Sequence, residues 1–188
     1  QAFPDADTNK IHKVGWPMEY MPKLLEEYDI EANKMDMVLF PHRVAPEKQV
    51  DIFKDLGKQF SDVDFVVAQE RNLTKDEYHM LLSRSKIVFS ANQQETLGIS
   101  CYEGALVGAV PMVPDRLSYT EMYLDDFKYP SEWTKDWDSY LEHKEELVEF
   151  IHNLLGSDLR EKCQEQEEKL KEEFFGGTAL YNIIRGKK

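Results

Sequence analysis

Two carboxylates and two cations stand in this sequence at spacings that could support chemistry. Glu95 and Glu103 are separated by seven residues within Ser90-Ala91-Asn92-Gln93-Gln94-Glu95-Thr96-Leu97-Gly98-Ile99-Ser100-Cys101-Tyr102-Glu103. Arg43 and Lys48 lie within Pro41-His42-Arg43-Val44-Ala45-Pro46-Glu47-Lys48. A carboxylate accepts two hydrogen bonds, which suits the paired hydroxyls of a ribose or hexose. Arg and Lys beside a helix start add cations where free N–H groups already favour an anion, so this pair fits a diphosphate. Gly98 leaves room for backbone amides to approach a phosphate. Each feature also has a plain structural reading, because surface Arg and Lys pair with local acids and two glutamates at this spacing arise easily in an acidic chain.

The elements around these residues decide between the readings. Met35 to Pro41 is a compact apolar run ending in proline, which predicts a buried strand. From Pro46 to Phe60, Val50, Phe53, Leu56 and Phe60 recur at three and four, predicting a helix that starts at the proline. The alternation continues with a strand at Asp64 to Ala68, a helix at Thr74 to Ser83, a strand at Lys86 to Ser90, a helix at Gly98 to Val107 and a strand at Val110 to Val113. Apolar strands separated by amphipathic helices predict an α/β fold, a Rossmann-like parallel sheet with helices on both faces. Beyond Pro114 the pattern turns helical: Ser118 to Asp126, Ser139 to Leu155 and Asp158 to Phe175, then an apolar segment at Leu180 to Ile184. In such sheets ligands bind beyond the carboxyl ends of the strands, where both candidate clusters fall.

Composition narrows the function class. The 188 residues carry 36 Asp and Glu against 23 Lys and Arg, a formal charge of −13. That excess disfavours a broad nucleic-acid or anionic-membrane footprint, since both select clustered cations. Eleven acidic residues against five basic ones lie between Glu142 and Glu173, a solvated helical end. No apolar stretch approaches the ~20 residues of a membrane span. Cys101 and Cys163 suggest no disulfide framework and read as reduced thiols of a cytoplasmic protein. Asp136-Trp137-Asp138 has an Asp-x-Asp form, but Asp5 to Asp7 and Asp62 to Asp64 repeat it, and Asp138 reads better as a helix N-cap. The five histidines, His12, His42, His79, His143 and His152, have no metal-binding spacing, so no metal site is expected.

Taken together and in order, the motifs resemble the carboxyl-terminal half of the retaining GT-B glycosyltransferases, the group often called glycosyl transferases group 1 or family four. Phe40 to Lys48 resembles the family's strand, Gly-Arg loop and Glu-Lys helix start, with His42 in place of the glycine. Glu95 to Glu103 matches its Glu-x(7)-Glu motif, and Glu103 to Pro111 its following Ala- and Gly-rich stretch, with the proline displaced. The resemblance covers about residues 36 to 125. It implies that Arg43 and Lys48 bind the donor diphosphate and stabilise the departing nucleotide, that Glu95 contacts the transferred sugar, and that Glu103 holds the ribose. Amides of Thr96, Leu97 and Gly98 would assist, and the loop Gln69 to Leu73, Leu73 included, would flank the base. The donor implied is a nucleoside-diphosphate sugar, with UDP the expected nucleotide and no further cofactor.

The same resemblance implies a domain plan. Residues 1–22 would be a linker or leader, 23–175 the donor-binding domain, and 176–188 a terminal helix that packs on an amino-terminal half lying outside this chain. The isolated half is then expected to lack activity and to self-associate through its exposed interdomain face. Two other readings stay open: half of a non-hydrolysing nucleotide-sugar epimerase, which shares the diphosphate site, and a degenerate module that binds a partner through its acidic end.

Overall fold

A computed structural model describes residues 12, 14–28 and 34–186. Five parallel strands form the sheet: β1 (Met35–Phe40), β2 (Asp64–Val67), β3 (Ser85–Phe89), β4 (Val110–Pro114) and β5 (Lys128–Tyr129), in the order β2-β1-β3-β4-β5. Four of them fall where the apolar runs predict them, within one residue at each end. β5 is additional: two residues long, it has no run of its own, and it exists because Val113 and Pro114 pair with Lys128 and Tyr129.

Side chains of successive strand residues point to opposite faces, and the core divides accordingly. Leu39, Val88 and Val113 pack on one face with Leu82, Tyr102 and Leu170. Val38, Ile87 and Met112 pack on the other with Phe53, Tyr140 and Ile151. Both faces being covered, β1, β3 and β4 can be apolar almost throughout. The helices on the first face are α1 (Tyr20–Leu25), α3 (Lys75–Arg84) and α4 (Ile99–Leu106); those on the second are α2 (Val50–Gly57), α6 (Trp137–Glu142) and α7 (Lys144–Gly156); α8 (Arg160–Lys169) runs beside α4 and packs Cys163 on the second cluster, and Leu170 just after it joins the first. α5 (Tyr119–Met122) follows β4, and α9 (Thr178–Ile184) closes the chain.

Several predicted helices are divided. The helix expected from Pro46 begins as a single 3-10 turn, Pro46–Lys48, and α2 starts after Gln49, whose backbone is left-handed at φ 55°. Its side-chain amide compensates by donating to the carbonyls of Ala91 (2.7 Å) and Thr134 (2.7 Å). The helix expected over Ser139 to Leu155 breaks at His143 into α6 and α7. Ser118 to Asp126 holds only the short α5 and a 3-10 turn at Asp125–Phe127. Asp136, not Asp138, caps α6, accepting from the Ser139 amide at 2.8 Å. Thr74 and Glu77 form a reciprocal capping box at the start of α3.

Two glycines set the approach of α4 to the sheet. A Cβ on Gly104 would lie 2.6 Å from Val88 Cγ2, so the helix can rest on β3 only without one. Gly98 has φ +62°, and a Cβ there would meet the Tyr119 ring at 2.7 Å. At the far end, residues 14–19 run beside the end of α8, with Trp16 and Met18 amides donating to the carbonyls of Phe174 (2.7 Å) and Phe175 (2.9 Å).

Candidate functional site

The strand order reverses direction between β1 and β3, and in open parallel sheets the crevice at that switch point is where ligands bind. The loops that leave β1 and β3 at this point carry the residues singled out from sequence. An open crevice of about 400 Å³ is lined there by His42, Arg43, Lys48, Glu95, Thr96 and Ser100, among others including Leu97. A second crevice of about 380 Å³, sharing His42 and Arg43, continues past Gln69, Asn72, Leu73 and Tyr78. Two larger grooves, about 510 and 500 Å³, flank the edge strand β2 away from the switch point and contain neither glutamate.

Glu95 is the hub of the first crevice. Its Oε2 accepts from Lys48 Nζ at 3.0 Å and from Asn92 Nδ2 at 2.9 Å, and its Oε1 accepts from the amides of Thr96 (3.0 Å) and Gly98 (3.1 Å). Burial pushes this carboxyl up, but Lys48 and the two amides outweigh it and hold Glu95 below the usual carboxylate range. Lys48 is itself buried and gives a second bond to the Gln94 carbonyl at 2.8 Å. Arg43 differs: its side chain is 68% exposed and pairs with Glu47. Lys48 and Arg43 thus line one crevice, the first fixed and the second free to turn toward solvent.

Glu103 sits one level below, on α4. Its Oε2 accepts from Tyr78 Oη at 3.2 Å and its Oε1 lies 3.9 Å from His79 Nε2. Burial raises its pKa against the opposing bond from Tyr78. Glu103 does not line the first crevice with Glu95; Tyr78 connects it to the second, where Leu73 stands. The Glu-x(7)-Glu spacing therefore places Glu95 in the wall of the first crevice and Glu103 behind Tyr78, which lines the second.

His42 occupies the boundary between them. It is buried, its Nδ1 lies 3.1 Å from Ser100 Oγ, and its ring packs edge-on against Phe40. Burial first, and the Lys48 charge second, push its pKa down to about 3, so the ring is neutral at ordinary pH. A glycine would leave this space empty, whereas His42 fills it.

Sequence reasoning missed the residues that support Glu95. Asn92, fully buried, bonds both Glu95 and Tyr119 Oη (3.1 Å). Gln93 binds the carbonyls of Thr134 (2.8 Å) and Lys135 (2.6 Å) through its side chain. Arg116, just beyond β4, reaches the same loop. No periodicity marks these residues, since, Glu95 apart, the partners of their side chains lie 15 to 42 positions away in sequence. Among the described residues no group of three or more His, Cys, Asp or Glu is arranged to hold a metal ion, and no helix is long and apolar enough to cross a membrane.

No protein-family model matches the chain. A tRNA-queuosine alpha-mannosyltransferase of Drosophila melanogaster is 27% identical over 128 residues, covering 63% of this chain and 32% of the relative. Among solved structures, TarM superposes over 96% of this chain and 39% of its own, at 14% identity and a TM-score of 0.57. A Staphylococcus aureus TarM variant in complex with fondaparinux, alpha-GlcNAc-glycerol and UDP gives 94%, 44%, 16% and 0.57. The catalytic domain of starch synthase IV from Arabidopsis thaliana, bound to ADP and acarbose, gives 89%, 41%, 14% and 0.56. The chain thus spans about a third of the curated relative and about two-fifths of the solved chains. The five-stranded parallel α/β unit described above is the fold of one part of a GT-B glycosyltransferase, and by fold this chain is glycosyltransferase-like.

Proposed function

We propose that this chain is the donor-binding part of a retaining glycosyltransferase, one that takes a sugar from a nucleoside diphosphate. The observation that carries the reading is the corner at Glu95, where a buried lysine and two amides at the head of α4 already converge on one anion. Those donors suit a diphosphate, and its departure as a leaving group is favoured when fixed positive charge faces it. In this reading Lys48 neutralises charge on the diphosphate and Arg43 closes over it from the crevice rim. Glu103, behind Tyr78 of the adjoining crevice where Leu73 stands, accepts from the ribose, and Glu95 turns to the sugar. The complexes of similar fold contain UDP in one case and ADP in another, so the base is read from neither; UDP is our choice. The Drosophila relative is named for transfer to a tRNA nucleoside. An acceptor of that kind would be engaged mainly outside this chain, whose charge of −13 repels a phosphate backbone.

Calorimetric titration of the folded chain with UDP, GDP and ADP, repeated on Lys48→Ala and Glu103→Ala, tests this. One diphosphate should bind saturably, and each substitution should weaken it by roughly tenfold, the loss of a charge-assisted hydrogen bond. No binding at millimolar nucleotide by a chain with an intact fold overturns the reading.

A further inference from the structure

Arg116 is a guanidinium whose partners are all uncharged. It leaves the end of β4 at a turn where the next residue, Leu117, has φ 56°. Its Nε donates to the Asn92 carbonyl (2.8 Å) and its Nη2 to the Ala91 carbonyl (2.8 Å). Nη1 donates to the Ser131 carbonyl (2.8 Å), and Nη2 also reaches the Thr134 carbonyl (3.2 Å) and Oγ1 (2.9 Å). Among the described residues no carboxylate pairs with it. One planar fork therefore joins two loops, the one after β3 that carries Glu95 and the one after β5.

Such an arrangement exceeds what the sheet needs. The Ser90 carbonyl is already held by Tyr129 Oη at 2.7 Å, and the Ser90 amide by the Met112 carbonyl at 2.9 Å. What Arg116 adds is a hold on the Asn92 carbonyl, together with a second donor to the Ala91 carbonyl that Gln49 Nε2 also reaches. Asn92 is the residue whose side-chain amide reaches Glu95 Oε2 at 2.9 Å, so fixing its carbonyl fixes the base from which that amide projects. The path from Arg116 to Glu95 passes through a single residue.

We propose that Arg116 is a positioning residue: it holds Asn92 so that the Glu95 carboxylate faces Lys48 and the amides of Thr96 and Gly98. That this serves a nucleotide-sugar donor rests on the function proposed above; that it sets Glu95 does not. Lysine cannot replace arginine here, because an ammonium lacks the flat fork that spans two peptide carbonyls of one loop and two of the other.

Glu95 titration followed by carboxyl carbon NMR reads this directly. The titratable groups around Glu95 are Lys48 from the turn after β1, the neutral His42, Cys101 on α4, and Tyr119 and Tyr123 in and beside α5. Arg116→Lys should move the Glu95 titration upward, toward an ordinary glutamate, while amide signals of the sheet stay in place. Thr134→Val, which removes the hydroxyl contacts to the guanidinium (2.9 Å) and to Tyr129 Oη (3.2 Å) and leaves the Thr134 carbonyl in place, should move it the same way and less, and serves if Arg116→Lys fails to fold. In Asn92→Ala, adding Arg116→Lys should bring no further shift. Binding of UDP-glucose, GDP-mannose and ADP-glucose is measured on the same samples, and the one that binds the wild-type chain should bind Arg116→Lys roughly tenfold more weakly. An unmoved Glu95 titration in both Arg116→Lys and Thr134→Val, or additive shifts from Arg116→Lys and Asn92→Ala, overturns the proposal. A shifted titration in a chain that binds none of the three sugars upholds the positioning of Glu95 and defeats the donor reading alone.

Discussion

At the residue scale, Glu95 uses the same donors that a diphosphate would need. A carboxylate and a phosphate cannot both take the Thr96 and Gly98 amides, so on the function proposed above donor binding at this corner would compete with the Glu95 side chain. This gives a prediction opposite in sign to that for Lys48. Glu95→Gln keeps one acceptor oxygen for the amides but removes the charge from Lys48, which is then released to the ligand. Calorimetry should show the nucleoside diphosphate binding Glu95→Gln several-fold to tenfold tighter than wild type, on the order of 1 kcal/mol. Weaker diphosphate binding would place Glu95 on the diphosphate's side of the site instead. Lys48 and Glu95 were legible in sequence from residue type and from their place after strands. Asn92 and Arg116 were not, because a buried amide and a carbonyl-bound guanidinium acquire meaning only from partners brought near by the fold.

At the element scale, the divided helices are tied across the sheet face by side chains. Asp55 on α2 accepts from Lys144 Nζ of α7 at 2.6 Å, from Tyr140 Oη of α6 at 2.9 Å and from Lys58 at 3.1 Å. The bond from Lys144 leads in lowering its pKa to about 2. A carboxyl depressed in the folded state contributes stability above its unfolded value, and that contribution is lost as pH falls through the folded one. Asp55→Asn should therefore lower stability at neutral pH by about 1 kcal/mol, with the gap to wild type closing as pH falls from about 4 toward about 2. Denaturant titrations across that range measure it, and a gap independent of pH would mean that packing, not charge, links α2 to α7. The 3.6-residue period predicted α3 and α4 within one residue at each end, and for α2 it gave a longer run, Pro46 to Phe60, than the Val50–Gly57 observed. It could not predict the break at Gln49, since a left-handed glutamine is costly alone and is offset only by the carbonyls of Ala91 and Thr134.

At the scale of the whole molecule, one side carries apolar residues that the sheet does not cover. Trp16 is 60% exposed, Tyr20 61% and Ile184 73%, and α9 buries no residue at all. These positions are drawn together because Glu19 accepts from the Gly177 amide and the chain beside Trp16 follows the end of α8. Apolar surface gathered in this way favours association. Sedimentation at high protein concentration should show self-association of this chain, reduced by Ile184→Asp together with Trp16→Ser; a monomer throughout would show that this side is inert in isolation. Sequence alone determined the α/β class, four of the five strands and the neighbourhood of the crevice, because burial on both faces of a parallel sheet imposes continuous apolar runs and loop chemistry lies next to them in the chain. Tertiary structure decided β5, the separation of Glu95 in its crevice from Glu103 behind Tyr78, the burial of Lys48 against the exposure of Arg43, and the Arg116 bridge. Each of these is a contact between residues distant in sequence, and the free energy of a buried polar group depends on the partner it meets rather than on its neighbours along the chain.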